Sequence, residues 1–250
     1  MISVVILGSG NVASQLIQAF LKIDTINLKQ VYTRNQNDIN TLNSSIETTN
    51  DISLLKKADV TIIAVSDHAI SSISSHIKNS FVVHTSGSVD MKSLNNIGRK
   101  GVFYPLQSFS KKKKVDFKNI PICLESETNE DLQKLEELVS LLQSKSYLLS
   151  SHQRKKIHVA AVFANNFSNH MYTIANEICE KYNIPFDILH PLIEETSNKI
   201  KNLTPKKAQT GPAKRNDAET IENHLNLLSK KQQEIYLKIT QSIQEYGKKL

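Results

Sequence analysis

Val4-Val5-Ile6-Leu7 runs directly into Gly8-Ser9-Gly10-Asn11-Val12-Ala13, and the apolar positions Leu16, Ile17, Phe20 and Leu21 follow at helical spacing. The stretch reads as a strand, a tight glycine turn and a helix. Gly8, Gly10 and Ala13 stand at the positions of G-x-G-x-x-G/A, the dinucleotide fingerprint. Each residue type has a physical reason. Gly8 makes the turn. Gly10 lets a pyrophosphate approach the backbone. Ala13 is small enough for the helix to pack on the strand. The first helical turn, from Asn11 and Val12, offers unpaired N–H groups and the positive end of the helix dipole.

Working outward from this turn, strand and helix patterns alternate over the first 150 residues. Strands are predicted at 2–7, 28–33, 60–65, 80–84, 101–104, 120–124 and 146–149. Helices are predicted at 11–22, 51–57, 68–78, 90–97 and 129–143. Alternation of this kind implies an α/β fold with a doubly wound, mostly parallel sheet. Val60 to Val65 and Phe81 to His84 are nearly continuous apolar runs, as strands covered on both faces are. From residue 152 the pattern becomes helical, with predicted helices at 152–181, 186–202, 217–228 and 230–247. Asn216 with Glu219 fits a capping box for the third of these. Val159 to Ala164 is apolar on every side, so that helix is expected to be buried within a domain or in a subunit interface. The boundary is placed near residue 150, between a nucleotide-binding domain at 1–150 and a smaller all-helical domain at 151–250.

Composition narrows the class. The 250 residues are 39% hydrophobic and 22% charged, as in a globular protein. No apolar run reaches the roughly 18 residues of a membrane span. The start shows no secretory pattern, and Cys123 and Cys179 lie far apart in apolar surroundings, so a cytoplasmic, reducing setting is expected. The net charge is +7, but the lysines are dispersed outside Lys111–Lys114 and lack interleaved aromatics. Nucleic acid is therefore not the expected partner, and the positive field suits an anionic cofactor or substrate. No metal site is expected.

The end of the second strand separates NAD from NADP. NAD sites place an acid there for the ribose 2′-hydroxyl. Here Thr33-Arg34-Asn35 follows the strand, and a guanidinium pairs with a 2′-phosphate, so NADP is the expected cofactor. Ala64, Val65 and Ser66 close the third predicted strand, with Ser66 or Asp67 as a helix cap. His84-Thr85-Ser86-Gly87-Ser88 closes the fourth. Thr85 is assigned to the cofactor, and Ser86 to the nicotinamide amide or a substrate carboxylate. Gln107 and Ser108, within Phe103–Phe109, form a candidate substrate lip. His158, Val162, Asn165 and Asn166 fall on one helical face. His158 and Asn166 are read either as structural hydrogen-bonding groups or as candidate catalytic residues. Thr210, Gly211 and Arg215, in Gln209–Asp217, form an anion site or simply a turn between helices.

These residues together resemble a family of Rossmann-like NADP oxidoreductases with a small helical C-terminal domain and no assigned substrate. The likeness covers essentially the whole chain. It rests on Gly8, Gly10 and Ala13; on Ala64–Asp67, His84–Ser88 and Tyr104–Phe109; on His158, Ala161, Asn166 and Phe167; and on Thr210–Pro212 with Arg215 and Asp217. The architecture is also similar to pyrroline-5-carboxylate reductases, prephenate dehydrogenases and beta-hydroxyacid dehydrogenases. The resemblance implies a helical domain that closes on the nicotinamide, commonly as a homodimer. It also implies hydride transfer between NADP(H) and a small anionic carbonyl, imine or hydroxy compound in an interdomain cleft. A rival reading is an NADP(H)-binding sensor without chemistry. Two departures prevent a substrate from being carried over. The catalytic lysine of beta-hydroxyacid dehydrogenases has no counterpart, since Ala161 and Val162 stand four before Asn165 and Asn166. Gln209-Thr210 replaces the serine-rich approach of pyrroline-5-carboxylate reductases.

Overall fold

The computed structural model describes residues 1–34, 46–78, 80–110 and 113–248. Its chain divides into two compact units, Met1–Asn165 and Asn166–Leu250. The first is built on a sheet whose strands, among the described residues, are β1 (Ile2–Leu7), β2 (Ile26–Tyr32), β3 (Thr48–Thr49), β4 (Val60–Ile63), β5 (Val82–His84), β6 (Lys100–Pro105), β7 (Ile122–Ser126) and β8 (Ser146–Leu148). Their order is β3-β2-β1-β4-β5-β6-β7-β8. All neighbours are parallel except β6 and β7. This is the doubly wound, mostly parallel sheet that the alternation implies.

The β1 sequence puts it at the centre. Val4, Val5, Ile6 and Leu7 are fully buried, as Val60, Ile62 and Ile63 are beside them. One face packs against Ala13, Leu16, Ile17 and Phe20 of helix α1 (Asn11–Phe20) and against Leu135, Leu138 and Val139 of a later helix, Asn129–Leu141. The other face packs against Ile70, Ile77 and Leu94. The strand order turns back on either side of β1, toward β2 and toward β4. A crevice opens there at the C-terminal strand ends, where ligands bind in open α/β sheets.

Two predicted helices shrink to short turns, because their amides find other acceptors, and a third is shortened. At 51–57 only Ile52–Leu54 is helical, since Lys56 N–H donates to the Gln30 side chain of β2. At 90–97 only Met91–Ser93 is helical, since Asn95 N–H donates to Ser74 Oγ and Ile97 N–H to the Ile77 carbonyl. At 68–78 a turn at Asp67–Ala69 leads into helix α2 (Ile70–Ser74). The helix Asn129–Leu141 is α3, and its N-cap Thr128 accepts from Asp131 N–H.

The long predicted helix 152–181 is helical throughout but not of one kind. Helix α4 (Ser151–Ala161) starts with a capping box between Ser150 and Gln153. A π-helical turn, Val162–Phe167, joins it to α5 (Ser168–Lys181). The turn of wider pitch interrupts the 3.6-residue repeat just where Val162, Asn165 and Asn166 lie. The apolar segment is also not buried within the chain. Val159 is 54% exposed, Phe163 65% and Phe167 49%.

Beyond α5 the second unit contains α6 (His190–Asn202), α7 (Pro205–Ala208), α8 (Pro212–Arg215), α9 (Ala218–Leu227) and α10 (Lys230–Lys248). α8 packs on α9 and α10. The cap of α9 is Asp217, whose carboxylate accepts from Thr220 N–H at 3.1 Å. Asn216 is left-handed, with φ of 55°, because it closes α8, so the Asn216–Glu219 capping box does not form. Among the described residues, no helix is long and apolar enough to cross a membrane.

Candidate active site

The crevice beside β1 holds a cavity of about 760 Å³. The glycine turn forms its floor. Gly8 has a φ of +127°, and a Cβ there would stand 2.2 Å from the Ala64 carbonyl oxygen. Only glycine lets the ends of β1 and β4 come this close. Gly10 differs. Its φ of −72° suits any residue, and a Cβ there would meet nothing within 4 Å. The absent side chain leaves space, and that space belongs to the cavity. No side chain caps α1 at Gly10, so its first-turn amides stay available to a ligand. The Asn11 side chain is engaged elsewhere, donating to the Phe109 carbonyl at 2.9 Å. A phosphate group fits this floor on both counts: room above Gly10 and a helix N-terminus facing it.

The cavity walls gather the residues assigned to the cofactor from sequence. Ser9, Asn11 and Val12 extend the floor, Thr33 and Arg34 follow β2, Ala64, Val65 and Ser66 follow β4, and Thr85 follows β5. Asn35 lies outside the described residues. The sequence reading omitted Tyr32, His68, Ala69, Ser72 and Ile73, which line the same space. Four of these five come from the turn after β4 and the start of α2. Their signal was the run after Ser66, where positions 68, 69, 72 and 73 recur with helical spacing. Ser66 does not cap that turn, and its Oγ lies 3.3 Å from His68 Nε2. Asp67 caps nothing either, because its carboxylate accepts from Ser88 Oγ.

A second cluster forms where α4 meets the ends of β5, β6 and β7. Arg154 is fully buried on α4. It donates to the Ser86 carbonyl at 3.1 Å, to the Val89 carbonyl, to Ser151 Oγ and to the Glu125 carboxylate of β7. Glu125 also accepts from Ser151 N–H at 2.9 Å and Ser151 Oγ at 2.8 Å. A buried cation needs an opposite charge and hydrogen bonds around it, and Arg154 has both in Glu125 and the two carbonyls. The clamp fixes the Ser86–Val89 loop to the start of α4. One helical turn on from Arg154, His158 Nδ1 lies 3.0 Å from the Tyr104 hydroxyl of β6. The two rings meet edge to face, with centroids 6.0 Å apart. Gly87 makes this possible, since a Cβ there would stand 2.5 Å from His158 Nδ1 and 2.8 Å from Tyr104 Cζ.

Burial sets the charge states here. His84 accepts from Ser86 N–H through Nδ1 at 3.1 Å. Its burial first, and the Arg154 charge second, lower its pKa from 6.5 to about 4, so it is neutral near pH 7. Burial pushes the Tyr104 phenol up to about 12, so it keeps its proton. Sequence reasoning missed Arg154 and Glu125 as site residues, and took in Gly87 and Tyr104 only as parts of the His84–Ser88 and Phe103–Phe109 segments. A lone arginine in a polar helix start carries no signal of burial.

The residues assigned to substrate belong to both units. The Ser86 hydroxyl accepts from Ser88 N–H and Val89 N–H, both at 3.1 Å, which makes it part of a turn. Gln107 and Ser108 are exposed, and the Gln107 side chain accepts from Ser108 N–H at 2.8 Å. Asn166 is exposed in the π turn. Thr210 and Gly211 line an apolar cavity of about 270 Å³ in the second unit, with Met171, Tyr236 and Ile239. Arg215 is exposed and lies 3.6 Å from Asp217.

Fold and floor together define a dinucleotide-binding oxidoreductase class. Residues 3–86 match the family described as NADP oxidoreductase, coenzyme F420-dependent, and residues 120–243 match a domain of unknown function, DUF2520. The chain is 39% identical to BF3122 of Bacteroides fragilis, provisionally described as an NADP oxidoreductase. The match covers 98% of each chain with a TM-score of 0.88. Protein TM1727 of Thermotoga maritima shares 21% identity over 98% of each chain, with a TM-score of 0.74. A 1-pyrroline-5-carboxylate reductase of Streptococcus pyogenes shares the fold at 12% identity, covering 100% of this chain and 99% of its own, with a TM-score of 0.67. No curated protein matches the sequence. The chain belongs to the NADP oxidoreductase family that pairs this Rossmann-like domain with the DUF2520 domain.

Proposed function

We propose that this protein transfers a hydride between NADP(H) and a small anionic carbonyl, imine or hydroxy compound. The observation that carries the reading is the cavity above Gly10, with an uncapped helix N-terminus at its floor and Arg34 in its wall, in a chain of this family. The α1 amides and Gly10 would take the pyrophosphate, and Thr33, Arg34 and Asn35 the 2′-phosphate. Ala64, Val65, Ser66 and Thr85 would wall the remainder. The bound nicotinamide supplies the hydride chemistry. His158 would polarise or protonate the substrate oxygen or nitrogen through Nε2–H, and Asn166 would hydrogen-bond the same group. Ser86, Gln107, Ser108, Thr210, Gly211 and Arg215 are proposed as substrate contacts.

The exposed Val159, Phe163 and Phe167 are too apolar to be left in water on one segment. We assign them to a homodimer interface. A cytoplasmic location is proposed from the two free, buried thiols, Cys123 and Cys179.

Steady-state consumption of NADPH with a panel of cyclic imines and 2-oxo acids tests the enzymatic reading. Turnover of at least one compound is expected, with loss of turnover in His158→Asn. Tight NADPH binding with no turnover on any of them would overturn it and favour a silent sensor.

A further inference from the structure

The pairing of Tyr104 with His158 carries more than a contact. We infer that Tyr104 is a positioning residue, which, with the gap left at Gly87, holds His158 in one ring orientation and one tautomer and leaves Nε2–H free to face the substrate. The inference rests on the oxidoreductase reading for its consequence in catalysis, but not for its geometry.

A neutral imidazole has one donor and one acceptor nitrogen, and the partner of one decides the state of the other. Tyr104 is nearly buried, and its hydroxyl needs an acceptor. His158 Nδ1 lies at hydrogen-bond distance, 3.0 Å away. The phenol keeps its proton, and among the described residues no other acceptor lies within hydrogen-bond distance of it, so it donates to Nδ1 when the ring is neutral. Nδ1 is then the acceptor, and the ring proton sits on Nε2. When the ring is protonated, the same hydroxyl turns and accepts from Nδ1–H, so the contact persists in both charge states.

The same Nδ1 edge of the ring lies against Gly87. The His158 ring occupies the volume that any side chain at position 87 would fill. Gly87 stays there because the Arg154 clamp fixes both ends of its loop, at the Ser86 and Val89 carbonyls. Arg154 is also four residues before His158 on α4, so one clamp sets the loop and the base of the histidine together. His84 adds a tie to the same loop through Ser86 N–H.

The experiment is long-range proton–nitrogen correlation NMR on protein labelled with nitrogen-15 at histidine. His158 is assigned from the signals lost in His158→Asn. In the wild type, the neutral His158 ring is expected as the single Nε2–H tautomer. Tyr104→Phe keeps the edge-to-face ring and removes only the hydroxyl, and is expected to give a mixed or Nδ1–H tautomer. Gly87→Ala is expected to displace the His158 signals while melting stays cooperative. A Tyr104→Phe spectrum with the tautomer unchanged would overturn the inference, whatever its activity. The kinetic readout is separate. With the most active compound of the panel, Gly87→Ala should lower kcat on the order of 100-fold, the usual cost of displacing a reacting group by about 1 Å. NADPH affinity should stay unchanged. If His158→Asn keeps full turnover while the wild-type tautomer is as stated, the proton-donor reading fails and the positioning geometry stands.

Discussion

His84 should make this protein acid-labile in a window set by its own burial. Its pKa falls from 6.5 to about 4 because folding removes the ring from water and places it near the Arg154 guanidinium. Between these values the unfolded chain binds a proton that the folded chain refuses. Stability contributed by His84 is therefore fully present above about pH 6.5 and is lost progressively as pH falls toward about 4. A difference of about 2.5 pKa units corresponds to about 3 kcal/mol, a large share of the 5–15 kcal/mol typical of a domain. The comparison that isolates it is wild type against His84→Asn, whose side-chain oxygen can still accept from Ser86 N–H but does not titrate. Urea denaturation at about pH 7.5 and about pH 4.5 gives the change in each, and carboxylate contributions cancel in the difference. Wild type should lose about 2–3 kcal/mol more than the variant over this interval. Parallel losses in the two proteins would refute the claim that His84 is held neutral by its surroundings.

The two glycines of the turn should separate folding from binding. Gly8→Ala forces a Cβ to 2.2 Å from the Ala64 carbonyl at φ +127°, and should cost at least about 2 kcal/mol in thermal or chemical denaturation. Gly10→Ala meets nothing, so its melting should match wild type while NADPH affinity in calorimetry falls at least about 10-fold, and a variant that binds normally would remove Gly10 from the phosphate site. Light scattering at micromolar concentration should show a dimer, and Phe163→Glu a monomer with unaltered near-ultraviolet circular dichroism. A monomeric wild type would contradict the interface assigned to Val159, Phe163 and Phe167.

The sheet was legible because its central strands are buried on both faces and therefore read as unbroken apolar runs. Val60–Ile63 and Val82–His84 are such runs. β3 was not legible, since two residues, Thr48 and Thr49, carry no period. The short helices were overestimated where a distant side chain takes the amide that a helix would use. Gln30 does this to Lys56, and Ser74 to Asn95. No local pattern encodes those partners. The cofactor floor was legible because its motif is local, from Gly8 to Ala13. The His158 cluster was only half legible. His158 stood out by type, but its partner Tyr104 of β6 is 54 residues away, and the Ser86 carbonyl that Arg154 clamps is 68 residues from that arginine. The π turn was invisible too, because an inserted residue leaves the apolar content of Val162–Phe167 unchanged.

The most direct test of the account is calorimetric titration of wild type and Arg34→Asp with NADPH and with NADH. Wild type should bind NADPH more tightly than NADH, and Arg34→Asp should weaken NADPH by roughly 30–100-fold, about 2–3 kcal/mol for a lost charge-assisted pair, while changing NADH by only a few-fold. Equal losses for the two nucleotides would contradict the 2′-phosphate assignment. Failure of the wild type to bind either one would contradict the cofactor cavity itself, and with it the proposed enzyme.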